Sequence, residues 1–165
     1  MIWNFSIIIA VVIIFIILAR RIPAAKKLRN ETSKASPEEI TTYGLIAQAD
    51  DAFEAKDFEK AEELFVKAAT KDPNNAKIYN RLGVIYLEQK NYFDAKDAFS
   101  QAIKVEPETA SRYVNLGLAY MGLKDYYKAT QTFKEAVRLE KRNKKYQGLL
   151  ERAQKAYEKE KKIKK

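Results

Sequence analysis

The chain has 165 residues, a length that suits one folded domain of ordinary size. It contains no cysteine and no histidine, which removes disulfides, thiolate nucleophiles, Cys/His zinc sites and every imidazole acid or base. Lysine and arginine number 31 against 22 aspartate and glutamate, a net charge of +9; 5 Gly and 4 Pro are too few for a fold rich in strands and turns.

The charge is uneven. Residues 20–34 sum to +5, residues 38–140 to −4 and residues 141–165 to +8, so a mildly acidic middle lies between two basic ends. Residues 1–19 carry no charged side chain. Within them, residues 2–19 read IWNFSIIIAVVIIFIILA, apolar except for Asn4 and Ser6. As a helix this run is about 27 Å long, close to the roughly 30 Å of a bilayer core. Arg20 and Arg21 can snorkel at one end, and Trp3 and Phe5 suit the opposite interface. A cleaved signal peptide would place positive charge before the run and a small-residue cleavage site soon after it. Here the arginine pair follows at once, and Ala24 and Ala25 come only after Pro23. The expectation is therefore a retained single-pass transmembrane anchor over residues 2–19. The basic residues cluster on its C-terminal side, so the positive-inside rule puts the N-terminus outside and the rest of the chain in the cytoplasm.

Residues 20–36, RRIPAAKKLRNETSKAS, read as a basic juxtamembrane linker. It ends at Ser36-Pro37-Glu38-Glu39, where Ser36 can cap a helix, Pro37 suits the first helical position and Glu39 completes a capping box. The folded domain is expected to begin there.

A shift of 34 residues aligns Tyr79 with Tyr113, Leu82 with Leu116, Gly83 with Gly117 and Tyr86 with Tyr120. The same shift aligns Ala95 with Ala129, Phe99 with Phe133, Ala102 with Ala136 and Pro73 with Pro107. One step back, Leu45, Ala49, Ala61, Phe65 and Ala68 fall in register, with Gln48 and Ala52 departing from the pattern and Phe53 beside Ala52 available to fill the space. Over residues 42–143 this pattern resembles the tetratricopeptide repeat. Three repeats follow from it, 42–75, 76–109 and 110–143, within a repeat region of residues 37–143. Residues 144–165 then form a capping helix and basic tail.

Each unit holds two amphipathic stretches. Asp57, Asn91 and Asp125, each preceded by lysine, can cap the second helix of a unit. Gly83 and Gly117 lie inside helices, and the expected reason is close approach to Ala95 and Ala129. The helices expected are 37–55, 58–71, 75–89, 92–105, 109–123 and 126–139, with a last one from about residue 144. That last helix puts Tyr146, Leu149, Leu150, Ala153 and Tyr157 on one face, as a solenoid needs in order to cover its final repeat. The tail after Tyr157, EKEKKIKK, has little to pack and is expected to fray. The fold expected is all-α: an N-terminal transmembrane helix, an α-solenoid of three repeats and a C-terminal capping helix.

No GxxxxGK[ST] or GxGxxG occurs, so no nucleotide cradle, cofactor or metal is expected. Asp50-Asp51 and Glu62-Glu63 are neighbours that point different ways on a helix and read as solvated carboxylates. Without a catalytic constellation, the chain is not expected to be an enzyme.

The resemblance implies that the first helix of each repeat lines a concave groove that holds a peptide or partner helix. Carried over residue by residue, the groove positions are Tyr43, Ile46, Asp50, Phe53 and Glu54, then Lys77, Asn80, Val84, Leu87 and Glu88, then Ser111, Val114, Leu118, Met121 and Gly122. Ile46, Phe53, Val84, Leu87, Val114, Leu118 and Met121 would form an exposed apolar strip. Some tetratricopeptide domains bind chaperone C-terminal carboxylates through a clamp of Lys, Asn, Asn, Lys and Arg. Those positions here hold Ile46, Asp50, Arg81, Ser111 and Asn115, so the clamp is not expected to work. The function implied is a membrane-anchored protein-protein interaction module at the cytoplasmic membrane face. Membrane-anchored bacterial repeat proteins that assist envelope assembly, and the anchored import receptor of mitochondria, look similar. Alternatives are a self-assembling membrane scaffold and, with less support, a nucleic-acid tether using the basic tail. The basic ends could also contact anionic lipid.

Overall fold

The computed structural model describes residues 37–163. Its helices are α1 Pro37–Glu54, α2 Phe58–Lys71, α3 Ala76–Glu88, α4 Tyr92–Val105, α5 Ala110–Gly122, α6 Tyr126–Leu139 and α7 Lys144–Ile163. The apolar run 2–19, the linker 20–36 and its cap at Ser36 lie outside the described residues. Among the described residues no helix is long and apolar enough to cross a membrane.

The helix boundaries fall within about a residue of those expected through α6. The tail does not. Residues 158–163 continue α7 to Ile163 instead of fraying. Lysine and glutamate are strong helix formers, and an exposed Lys155–Glu151 pair at 2.6 Å supports the turn before them.

The turn inside each repeat does two jobs with two residues. Lys56, Lys90 and Lys124 adopt left-handed backbone, with φ of 61°, 59° and 59°. This closes the first helix in a Schellman motif: the Lys56 N–H donates to the Phe53 carbonyl at 2.9 Å and the Asp57 N–H to the Ala52 carbonyl at 2.9 Å. Asn91 and Asp125 repeat it, donating to Tyr86 and Tyr120 at 2.8 Å and 3.0 Å. The same three residues then cap the second helix, as expected. Asp57 accepts from the Lys60 N–H at 3.2 Å, Asn91 from Asp94 at 3.4 Å and Asp125 from Lys128 at 3.0 Å. Between repeats, Asn75 and Asn143 cap the next first helix, and each amide also donates to an acid three residues before it. Asn143 thereby marks the boundary that Lys141, standing where a proline is expected, leaves unmarked.

One phenylalanine per repeat fills the core: Phe65, Phe99 and Phe133 are fully buried. A Cβ on Gly83 would lie 2.5 Å from the Phe99 ring, and one on Gly117 2.5 Å from the Phe133 ring. The glycines therefore make room for phenylalanine on the paired helix, not for Ala95 and Ala129 as expected. Phe53 packs on Phe58 with ring centroids 5.7 Å apart. The described residues from Thr42 to Ile163 make up one compact unit.

The last face of α7 is as expected. Ala153 is buried with Val114, Phe133 and Ala136, and Tyr146, Leu149 and Leu150 pack against that cluster. Tyr157 meets Tyr127 at 5.7 Å.

A polar bond joins α2 to α3. The Tyr86 hydroxyl donates to Glu62 Oε1 at 2.9 Å. Burial, reinforced by the Glu62 carboxylate, holds the Tyr86 phenol well above its ordinary pKa. A folded-state pKa raised above the unfolded one means a contribution intact below about pH 10 and lost as pH rises past it. Melting temperatures followed upward from pH 8 should fall more steeply for the natural chain than for Tyr86→Phe. Parallel curves would show that the phenol does not sense the fold.

Candidate partner-binding face

The first helices α1, α3 and α5 are linked from repeat to repeat by polar side chains. Asp50 on α1 bridges two cations of α3, Lys77 Nζ at 3.0 Å and Arg81 Nε at 2.9 Å. The Arg81 guanidinium also lies 5.4 Å from the Phe53 ring centroid. One step further, the Asn115 amide of α5 donates to Asn80 Oδ1 on α3 at 3.1 Å. Each bond joins helices of different repeats, so the line fixes repeat spacing as well as surface chemistry.

Of the expected groove residues, the structure pairs Asp50 with Lys77, and it adds Arg81 beside Asp50 and Asn115 beside Asn80, two of the positions compared with the carboxylate clamp. Asp50 is already neutralised by two cations. It offers a partner a fixed cluster of one carboxylate and two cations, not a lone carboxylate.

The apolar strip is not continuous. Ile46 and Val114 are 6% and 7% exposed, so neither can serve as a groove anchor. Ile46 packs with Ala49, Ala61 and Phe65, and Val114 lies in the cluster that α7 covers. The register that puts these residues on the first-helix face also turns them towards the neighbouring helix. Phe53, Val84, Leu87 and Met121 are partly buried against core clusters. Leu118 is the member of the strip left open, at 38%, and the groove position Tyr43 on α1 is 62% exposed. Gly122 belongs to packing too, because a Cβ there would run into the Tyr92 ring.

The 34-residue register continues into α7, which the sequence reading treated only as a cap. Leu150 follows Leu116 and Ala153 follows Ala119 at that spacing. The signal was present in two residues and was missed because the aromatic positions are lost. Gln147, Glu151 and Gln154 stand where Tyr113, Gly117 and Tyr120 seat the second helix of their repeat. So α7 stands at the first-helix position of a fourth unit, with polar residues where the earlier repeats seat their second helix. Its Lys145 and Arg152, both exposed, stand at the register of Lys77 and Val84.

No three or more acidic side chains converge on a metal-sized site among the described residues.

The tetratricopeptide repeat family matches twice, over residues 52–116 and over residues 110–143. No curated protein matches in sequence. Solved structures are similar in fold. The second tetratricopeptide domain of human RPAP3, in complex with the HSP70 peptide SGPTIEEVD, is 21% identical with a TM-score of 0.67, over 71% of this chain and 98% of that one. The Sgt2 tetratricopeptide domain of Aspergillus fumigatus is 21% identical, with a TM-score of 0.68, over 77% and 83%. The TPR2B domain of yeast Sti1, in complex with an Hsp70 peptide, is 16% identical, with a TM-score of 0.66, over 70% and 98%. Identities this low speak for the fold alone. With its family matches together running from residue 52 to residue 143 on the helix pairs described above, the chain belongs to the tetratricopeptide repeat family.

Proposed function

We propose that this chain is a membrane-anchored interaction module that holds a protein segment on the face of α1, α3 and α5, at the cytoplasmic side of the membrane. The observation that carries the groove reading is the cross-repeat line Asp50–Lys77/Arg81 and Asn80–Asn115 beside the open Leu118. Fixed charges and unused amide valences there suit polar anchoring of an extended segment, and Leu118 offers an apolar contact. The human RPAP3 and yeast Sti1 domains, similar in fold, have been solved as complexes with an HSP70 peptide and with pHsp70, which supports a protein segment as the occupant. The membrane part rests on the uncharged run 2–19 and the basic residues after it. Tetratricopeptide folds act generally as scaffolds for other proteins, which supports an interaction role.

Photo-crosslinkers placed at Asn80 and Leu118 of the full chain in its own membranes should trap a client, while one at the exposed Val66 of α2 should not. Adducts only from Val66 would move the site off this face. For a client so identified, Leu118→Glu should cost at least about 2 kcal/mol of affinity with helical content unchanged. Loss of folding in that variant would make Leu118 a packing residue and refute the assignment.

The client is not expected to be a chaperone tail of the EEVD kind. Ile46 is buried where the clamp needs a lysine, and Asp50 stands in the clamp with both nearest cations already engaged. Calorimetry with an EEVD peptide should show no micromolar binding. Saturable heat at that concentration would overturn this expectation.

A further inference from the structure

The outer face of α7 is a basic stripe that the groove does not use. At about 100° per residue, Lys144, Lys145, Arg152, Lys155, Lys159 and Lys162 fall within an arc of about 100° on the helix, with no acidic residue among them. All six are exposed. Glu151 and Glu158 lie along one edge of the stripe, and the ion pair of Lys155 with Glu151 is itself exposed. The packed face, with Tyr146, Leu149, Leu150, Ala153 and Tyr157, is on the opposite side.

We infer that α7 lies with this stripe against an anionic membrane surface. Three observations favour a lipid surface over other occupants. The stripe runs nearly the whole helix, about 27 Å from Lys144 to Lys162, and continues a full turn past Tyr157, which packs on Tyr127. A peptide on the first-helix face could reach Lys145 and Arg152 but not Lys159 and Lys162; a flat surface reaches all of them. The stripe holds no aromatic ring, so it lacks the stacking platform of a single-stranded nucleic-acid groove. At its far end Ile163 is 75% exposed, an apolar group placed to enter an interface. Each lysine or arginine held near an anionic leaflet strengthens attraction by about fivefold. The inference gains from the anchor proposed above, which would keep α7 near a membrane, but it can fail or hold independently of that anchor.

The natural chain has no cysteine, so Gln154→Cys gives a single donor-dye position on the side of α7 away from the stripe. Energy transfer from it to acceptor lipids reports how close α7 sits to the bilayer. With the full chain on vesicles, transfer should rise at least about twofold when phosphatidylserine replaces roughly a third of the phosphatidylcholine, and should fade as salt shortens the Debye length. Arg152→Glu, Lys159→Glu and Lys162→Glu together should return it to the phosphatidylcholine level with helicity unchanged. Should that variant misfold, glutamine at the same three positions should give an intermediate value. Equal transfer on both vesicle types, or full transfer after the substitutions, would overturn the inference. So would tighter binding of a nucleic-acid oligomer than of anionic vesicles at the same salt. Resistance of the chain to alkaline extraction from neutral vesicles reads the anchor separately, so the two failures are distinguishable.

Discussion

A piece ending at residue 143 is expected to lose cooperative folding, whereas one ending at residue 157 should unfold much as residues 36–165 do. The reason is what α7 covers. Without it, Val114, Phe133 and Ala136 lose the packing of Ala153, Tyr146, Leu149 and Leu150. Removing one buried leucine costs about 2–5 kcal/mol, and the whole of a small domain's stability is about 5–15 kcal/mol. Two leucines, a tyrosine and a buried alanine together are therefore comparable to the total. Beyond Tyr157 the helix has no packed apolar face, and of residues 158–163 all but Glu160 are exposed. Urea unfolding followed by circular dichroism separates the cases. A single sharp transition with an unchanged midpoint for 36–143 would show that the three repeats suffice without α7.

Gly83→Ala is expected to destabilise, although alanine is the better helix former by about 1 kcal/mol. Its Cβ would stand 2.5 Å from the Phe99 ring, whose side chain is fully buried and has nowhere to retreat. Overpacking of this kind costs about 1–3 kcal/mol, which outweighs the propensity gain over most of that range. Phe99→Leu alone opens a cavity and should cost about 1–3 kcal/mol. Combined, the two should cost less than their sum by about 1 kcal/mol, because the shorter side chain frees the space that the methyl group takes. Additive losses would mean that the two residues do not share that space. Gly117 with Phe133 offers the same cycle one repeat later.

Much of this fold was legible in the sequence because a repeat states its core several times over. The 34-residue spacing of Ala61, Ala95 and Ala129, and of Phe65, Phe99 and Phe133, marks positions that are all buried. The capping role of Asp57, Asn91 and Asp125 was equally legible, since only a short polar side chain bonds back to an amide three residues on.

Which surface remains open was decided elsewhere. A helical period places Ile46, Val84, Val114 and Leu118 on first-helix faces but does not say which of them a neighbour covers. Val114 is closed by α7, about forty residues away in sequence, and Leu118, four residues on, stays partly open. The partner of each glycine was likewise a tertiary matter: whether Ala95 or Phe99 approaches Gly83 depends on how the helix pair is rotated, not on spacing. The left-handed lysines at 56, 90 and 124 gave no composition signal, because lysine has no preference for that conformation. They adopt it because the Schellman bonds on one side and the cap on the other leave a single backbone path between two packed helices. By itself, then, the sequence determined the helices, their register and the residues of the core, all set by local chemistry repeated at a fixed interval. Only the tertiary structure decided the polar line from Asp50 to Asn115 and the single open leucine beside it, because both depend on side chains meeting across repeats.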